Sequence, residues 1–360
     1  MQVITAILVF IISGYLNGVN ALADLISAPF ENEAEVVETL EVANTEKKTS
    51  SAKDVVIKGG SIPQILIDNA AYQKAAIIES IDPQDATSTA YEALVNIYCE
   101  HKDGRNIKVT TGTGFFIDTD GIIITNAHVA HFLLMDGIIG ETSCVIRTGN
   151  PAEPKYLADL LYISPSWVRE NADMFTNQTP TGTGEKDYAL LYVTSGIDGK
   201  PMPNHFPALP FDVELMRASA VNSNVYAAGY PADSLIENGA RSPLVPKLAT
   251  TTITELMTFG SNYADVFTIE DSEVGEQGAS GGPVLTESGD VVGLISTKGN
   301  ADDFGYGALR AITMSYVDRT ITEETGFDLK KNLAGNIPHK ARIFNETLVP
   351  FLRLVLQQQL

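Results

Sequence analysis

Cysteine is scarce in this chain, and basic side chains are far fewer than acidic ones. The two cysteines, Cys99 and Cys144, form no C-x-x-C pair, so neither a zinc knuckle nor a thioredoxin-type redox site is supported. Lys and Arg total 24 against 45 Asp and Glu, which gives a formal net charge of −21. Because phosphate recognition needs clustered Lys and Arg, this acidity argues against a nucleic-acid-binding protein.

Long apolar runs are also rare, and the clearest one lies at the N-terminus. Residues 3–16 form an apolar run that precedes Ala21-Leu22-Ala23, a small-x-small cleavage pattern. The run is short for a membrane span, which needs about 20 residues, although weakly apolar sequence continues beyond it. Residues 1–23 are therefore predicted to be a signal peptide or, alternatively, a membrane anchor. Either role places the protein outside the cytoplasm, as a secreted, periplasmic or envelope-tethered protein.

A segment without aromatic side chains follows this apolar run. Residues 31–57 are rich in Glu, Lys, Ser and Thr, a composition that buries too little apolar surface to order itself. Residues 61–82 are mildly apolar with helical spacing, which would allow them to dock on the main domain. We interpret residues 24–88 as an acidic linker or pro-segment.

Helical periodicity is almost absent from the next 220 or so residues, which favours strands instead. Twelve short runs rich in β-branched and aromatic side chains are separated by turn sequences, which predicts an all-β protein. Two groups of six favour two six-stranded antiparallel β-barrels over one sandwich, since closure removes exposed strand edges. The first barrel is assigned to residues 89–205 and the second to residues 206–322. Residues 323–360 are predicted to form a helical C-terminal tail.

One serine lies among glycines, in the sequence GEQGASGGPVL at residues 275–285. Residues 278–282 match G-x-S-x-G, the nucleophile elbow of α/β-hydrolases, which needs a helix after the serine and then Asp and His. Pro283 and a β-rich run follow Ser280 instead, and the only histidine downstream, His339, lies in a polar tail. The other arrangement of a nucleophilic serine has the chain order His, Asp, Ser.

That order is present, with each residue in a specific setting. His128 lies in ITNAHV after an apolar strand, Asp187 begins DYALLYV, and Ser280 comes last. Together with TGTGFFID, GASGGPVL and VVGLIST, these motifs resemble the chymotrypsin-like (trypsin-fold) serine proteases, most closely the HtrA/DegP-like bacterial branch. The resemblance covers roughly residues 90–322. It implies a chymotrypsin-like fold and a serine endopeptidase that hydrolyses peptide bonds through an acyl-enzyme intermediate.

The resemblance also implies a role for each residue. His128 would act as general base and then as general acid, while Asp187 would accept its other ring N–H. The backbone N–H groups of Gly278 and Ser280 would form the oxyanion hole.

Other histidines and aspartates fit less well. His131 lacks the preceding Thr-Asn-Ala and is interpreted as a packing or surface residue. Asp159 and Asp173 lack the following strand sequence that the family requires after its aspartate.

Substrate preference is implied by the same resemblance. Val274, six residues before the serine, would lie at the base of the primary specificity pocket, where trypsin-like cleavage after Lys or Arg needs a carboxylate. Ser296, Thr297 and Lys298 would form the pocket wall, and Gln277 would lie at its rim. Lys298 would narrow the pocket, attract an acidic side chain together with Arg310, or point to solvent.

The family topology joins strand four to strand one of the first barrel, so a disulfide between Cys99 and Cys144 is reasonable. The alternative is two buried thiols that act as small apolar residues. Only 38 residues follow Thr322, too few for the PDZ domain that the HtrA-like branch usually carries. Substrate capture by a PDZ domain and the large oligomers of that branch are therefore not expected.

Neither a metal nor an organic cofactor is implied. The expected partners are protein or peptide substrates, with the N-terminus as a membrane tether if it is retained. The alternative function is a protease-fold binding or scaffold module whose site is closed and inactive. A third hypothesis is a cell-surface assembly protein that uses the acidic linker and the apolar tail.

Overall fold

The computed structural model describes residues 64–67, 69–77, 90–138, 140–172, 184–232, 242–270, 272–275, 277–298 and 309–358. The expected signal peptide, most of the acidic linker and Asp173 lie outside these residues. No helix among the described residues combines the length and the apolar character that a membrane span requires.

Six antiparallel strands form the first barrel. They are β1 (Leu94–Asp103), β2 (Asn106–Asp118), β3 (Ile122–Thr125), β4 (Glu141–Thr148), β5 (Glu153–Ile163) and β6 (Ala189–Gly196). Their order around the barrel is β1-β2-β3-β6-β5-β4, and β4 pairs with β1 to close it. The short strand β3, Ile-Ile-Ile-Thr, is buried along its whole length, as expected for a continuous apolar run.

Six further antiparallel strands form the second barrel. They are β7 (Asn224–Gly229), β8 (Lys247–Met257), β9 (Val266–Ile269), β10 (Pro283–Leu285), β11 (Val291–Lys298) and β12 (Leu309–Thr313). Their order is β10-β11-β12-β9-β8-β7, and β7 pairs with β10 to close the barrel. The prediction of an all-β, two-barrel fold is therefore confirmed.

A disulfide crosses the closure of the first barrel. Cys99 of β1 and Cys144 of β4 lie directly opposite each other, with their Cα atoms 4.1 Å apart, and their sulfur atoms are bonded. The structure therefore shows no free thiol, since both cysteines of the chain take part in this bond.

Helices lie in the connections and in the C-terminal region. They are α1 (Gln64–Ile67), α2 (Ala70–Ile77), α3 (Ala90–Ala93), α4 (Ala127–Ala130), α5 (Pro165–Glu170), α6 (Met314–Thr325), α7 (Leu329–Asn332), α8 (Ile337–Ile343) and α9 (Val349–Gln357). Single 3₁₀ turns occur at His131–Leu134, Ile197–Gly199 and Ala218–Ala220, and a π turn spans Phe344–Leu348. The predicted helical tail is present, and α6 begins where the Thr313 hydroxyl accepts the Tyr316 N–H.

Helices α1 and α2 pack against the C-terminal helices. Leu66 of α1 and Tyr72 of α2 are fully buried, and the Tyr72 hydroxyl donates to Asn332 Oδ1 at 3.0 Å. The Gln73 amide donates to the Thr325 carbonyl oxygen at 2.7 Å. Part of the segment interpreted as a linker is therefore folded onto the C-terminal helices.

Candidate active site

The imidazole of His128 and the carboxylate of Asp187 are brought together by strand pairing. His128 lies in α4, directly after β3, and Asp187 precedes β6, the strand that pairs with β3. His128 Nδ1 lies 2.8 Å from Asp187 Oδ2, and the His128 backbone N–H donates to Asp187 Oδ1 at 2.9 Å. Because the carboxylate only accepts, Nδ1 carries the hydrogen and Nε2 of the neutral ring keeps its lone pair.

Two neighbouring polar residues hold the aspartate in place. The Ser296 hydroxyl donates to Asp187 Oδ2 at 2.7 Å, and the Asn126 amide donates to the Asp187 backbone oxygen at 2.7 Å. The Asp187 side chain is 4% exposed, so the bonds from Ser296 and His128 to its carboxylate replace water around a charged group.

The pair of ionisable groups shifts the pKa of each partner. Burial alone would lower the pKa of His128, but the charge of Asp187 and its hydrogen bond raise it above 6.5. Burial would raise the pKa of Asp187, but the charge of His128 and the bonds from His128 and Ser296 lower it below 3.8. The charged forms of both residues therefore stabilise each other.

Ser280 is connected to this pair through Ser296, and its hydroxyl bonds to a backbone oxygen rather than to the imidazole. Its Oγ donates to the backbone oxygen of Ser296 at 3.2 Å. No hydrogen bond joins Ser280 and His128 in the described part of the chain. Ser296 thus contacts Asp187 through its hydroxyl and Ser280 through its carbonyl group.

The backbone around Ser280 presents two N–H groups. The Gln277 carbonyl accepts the Ala232 N–H at 2.6 Å, and the Ala279 carbonyl accepts the Gly282 N–H at 2.9 Å. In a trans peptide the C=O and the following N–H point in opposite directions, so the N–H groups of Gly278 and Ser280 face away from these contacts. Among the described residues, no acceptor receives either of them.

Glycine is required in this loop for two steric reasons. Gly278 has φ +95°, and a Cβ there would lie 2.7 Å from the Tyr230 backbone oxygen. Gly281 has φ +89°, and a Cβ there would lie 2.0 Å from the Thr113 backbone oxygen. Because Gly281 has no Cβ, the serine loop of the second barrel can approach strand β2 of the first barrel this closely.

The residues predicted for the specificity pocket are found in different settings. Val274 is fully buried in the core of the second barrel, and Gln277 is exposed. The Ser296 side chain faces Asp187, a contact that sequence reasoning missed because nothing in VVGLIST indicates the direction of its hydroxyl. Thr297 and Lys298 lie on β11, opposite residues 310 and 309, and their side chains are outside the described part.

The competing histidine and aspartate are not part of this arrangement. His131 is buried against Trp167, with ring centroids 5.7 Å apart. Burial, together with the charge of His128, lowers the pKa of His131 to about 4, so its ring is neutral near pH 7. Asp159 is exposed on β5.

Nothing in the described ranges groups three or more His, Cys, Asp or Glu side chains in a way that could hold a metal ion. The reacting groups that the site offers are the His128 imidazole, the Ser280 hydroxyl and the two backbone N–H groups.

Comparison with known proteins gives a family and a set of similar folds. The family model described as trypsin-like peptidase domain matches residues 112–294, a range that contains His128, Asp187 and Ser280. Among solved structures, the Rv3671c protease of M. tuberculosis in its active form is similar at 22% identity, with a TM-score of 0.40, covering 69% of this chain and 89% of that one. An inactive form of the same protease is similar at 21% identity, with a TM-score of 0.38, covering 68% and 98%. No curated protein matches the chain.

Proposed function

The chain belongs to the trypsin-like peptidase family, and from this premise we propose that it is a serine endopeptidase with Ser280 as its nucleophile. The observation that carries the proposal is the His128–Asp187 pair at 2.8 Å, which is linked to Ser280 through Ser296. A serine hydroxyl is a weak nucleophile until a neighbouring base accepts its proton, and His128 is the base that this pair orients.

In the first half of the proposed reaction, the Ser280 hydroxyl exchanges its bond to Ser296 for one to His128 Nε2. As Oγ attacks the substrate carbonyl carbon, the proton moves to Nε2 and the carbonyl oxygen becomes an oxyanion. The N–H groups of Gly278 and Ser280 would donate to that oxyanion. His128 then protonates the leaving amine, and the acyl-enzyme remains.

In the second half, water replaces the amine. His128 takes a proton from the water as it attacks the acyl carbon, and returns it to Ser280 Oγ as the product acid leaves. In both halves the imidazolium exists only transiently. Asp187 stabilises it, as the raised pKa of His128 reflects.

The site of action and the substrates are part of the proposal. The apolar N-terminal run supports a location outside the cytoplasm, secreted or tethered in the cell envelope. The substrates would be proteins or peptides whose backbone reaches Ser280.

A fluorophosphonate probe tests the proposal, because it labels only a serine that a base activates. We expect the full-length protein to be labelled and the modified residue to map to Ser280. Ser280→Ala should abolish labelling, whereas Ser288→Ala, in the exposed β10–β11 turn, should not. Labelling that persists in Ser280→Ala would reject Ser280 as the nucleophile.

The alternative is a binding module with the protease fold and a closed site. The observation that favours it is the Ser280 hydroxyl, which donates to Ser296 rather than to His128. The same experiment separates the two functions, because a folded protein that is not labelled at Ser280 would be such a module.

A further inference from the structure

We propose that Thr113 is a positioning residue that fixes the backbone on both sides of Ser280, a role that rests on the proposed serine peptidase function. Thr113 lies on β2 of the first barrel and is fully buried. It is not among the residues that the sequence motifs pick out as reacting groups.

Three hydrogen bonds join Thr113 to the second barrel. Its N–H donates to the Ser280 carbonyl oxygen at 2.8 Å, and its hydroxyl donates to the Gly278 carbonyl oxygen at 2.7 Å. The same hydroxyl oxygen accepts the Tyr230 N–H at 2.9 Å. The side chain therefore uses its donor on the loop that carries the nucleophile and an acceptor position on Tyr230, the residue after β7.

These bonds hold the two carbonyl groups that flank the oxyanion-binding N–H of Ser280. Gly278 has no side chain and a positive φ, so its dihedral angles are restrained only by what its peptide groups contact. Thr113 fixes the carbonyl groups of Gly278 and Ser280. The N–H groups of the same two residues therefore keep one direction. A backbone that is preorganised in this way needs no reorganisation as the oxyanion forms.

Thr113 is itself fixed from the side of the proposed base. The Thr125 hydroxyl donates to the Thr113 carbonyl oxygen at 2.6 Å, and Thr125 is three residues before His128. The backbone of Thr113 thus connects the end of β3, which leads into the helix of His128, with the serine loop. Gly281 allows this approach because a Cβ there would overlap Thr113.

The direct test of these bonds is a substitution that removes the Thr113 hydroxyl and keeps the shape of the side chain. Thr113→Val leaves the Tyr230 N–H and the Gly278 carbonyl without their buried partner, so the loop is free to shift. Because misplacing reacting groups by about 1 Å costs roughly 100-fold in rate, we expect a loss of about this size. Thr113→Ser keeps the hydroxyl and should keep most of the rate.

The rate of phosphonylation of the full-length protein by a fluorophosphonate probe is the measurement. In this reaction the Ser280 Oγ–P bond forms, the P–F bond breaks, fluoride leaves and the hydroxyl proton passes to His128. The phosphoryl oxygen takes the place of the oxyanion. The matched control is Thr251→Val on β8, since Thr251 is also buried and its hydroxyl donates only to the Glu270 carbonyl oxygen.

We expect slow labelling of Thr113→Val and near-normal labelling of Thr113→Ser and Thr251→Val. The pH at which the labelling rate is half-maximal should be unchanged in all three, because the His128–Asp187 pair is untouched. Labelling of folded Thr113→Val at the wild-type rate would overturn the role of Thr113, as would an equal loss in Thr251→Val. If Thr113→Val does not fold, Thr113→Cys replaces it, and labelling as fast as that of Thr113→Ser overturns the role. Wild-type protein that is not labelled refutes the proposed function itself, and the role of Thr113 with it.

Discussion

Ser296 shows where local sequence stops being informative about individual side chains. The chain order and the flanking residues of His128, Asp187 and Ser280 indicate their chemistry, because each follows or precedes a recognisable strand. The link that Ser296 makes between Asp187 and Ser280 could not be predicted. The direction of the Ser296 hydroxyl depends on how β11 packs against the segment before β6. The same holds for Thr113, whose contacts with the second barrel lie more than 100 residues away along the chain.

The pKa of His128 predicts how the rate depends on pH. Only the neutral imidazole can accept the Ser280 proton, so the rate should fall as the pH drops through the pKa of His128 in the folded protein. Asp187 raises that pKa, which places the midpoint of the acid limb above 6.5. The measurement is the fluorophosphonate labelling rate across this range.

Asp187→Asn provides the control for this pH dependence. The amide carries no charge and cannot hold the imidazolium, so the midpoint should move to lower pH and the rate should fall. A labelling rate that does not change with pH in the wild-type protein would contradict the role of His128 as base.

At the scale of secondary-structure elements, contacts with helix α6 hold the segment that carries Asp187 in position. Glu324 of α6 is fully buried and accepts from the Tyr162 hydroxyl at 2.5 Å and the Ser164 hydroxyl at 2.9 Å, both from the end of β5. Its carboxylate also lies 3.2 Å from the ammonium group of Lys186, the residue before Asp187. The Lys186 N–H donates to the Tyr316 hydroxyl of α6 at 3.1 Å.

Glu324→Leu should therefore destabilise the fold strongly. The substitution leaves the Lys186 ammonium and two buried hydroxyl groups without their acceptor, and breaking such a pair costs about 3 kcal/mol or more. The free energy of unfolding from urea titration is the measurement. Glu323→Leu, at the neighbouring exposed position, is the control, and equal unfolding midpoints for the two variants would contradict the account.

The strands could be predicted from sequence far better than the short helices. Runs of β-branched and aromatic residues between turn sequences indicate all twelve strands, because each strand must bury its side chains in a barrel. Helices α1, α4, α7 and α3 have only four residues each, too few to be stable alone, so packing against the rest of the protein determines them. The bounds of these short helices are therefore not readable from local pattern, although α1 and α7 lie in the segments 61–82 and 323–360, where the sequence indicates helix.

At the scale of the whole molecule, α1 and α2 contact the C-terminal helices, which lie about 250 residues further along the chain. The Tyr72 hydroxyl bonds to Asn332, and Gln73 bonds to Thr325, the last residue of α6. Thr325 follows Glu324 directly, so these helices cover the end of the helix that holds the Asp187 segment. We infer that α1 and α2 unfold together with the barrels.

Substitutions of Tyr72 test this inference by chemical unfolding of the full-length protein. Tyr72→Ala removes a buried ring and should lower the free energy of unfolding by about 3 kcal/mol or more, with a single transition retained. Tyr72→Phe removes only the bond to Asn332 and should cost about 1 kcal/mol. Tyr91→Ala removes an exposed ring and should change little, because Tyr91 is 46% exposed. If Tyr72→Ala unfolds at the same denaturant concentration as Tyr91→Ala, the N-terminal helices do not contribute to the stability of the barrels.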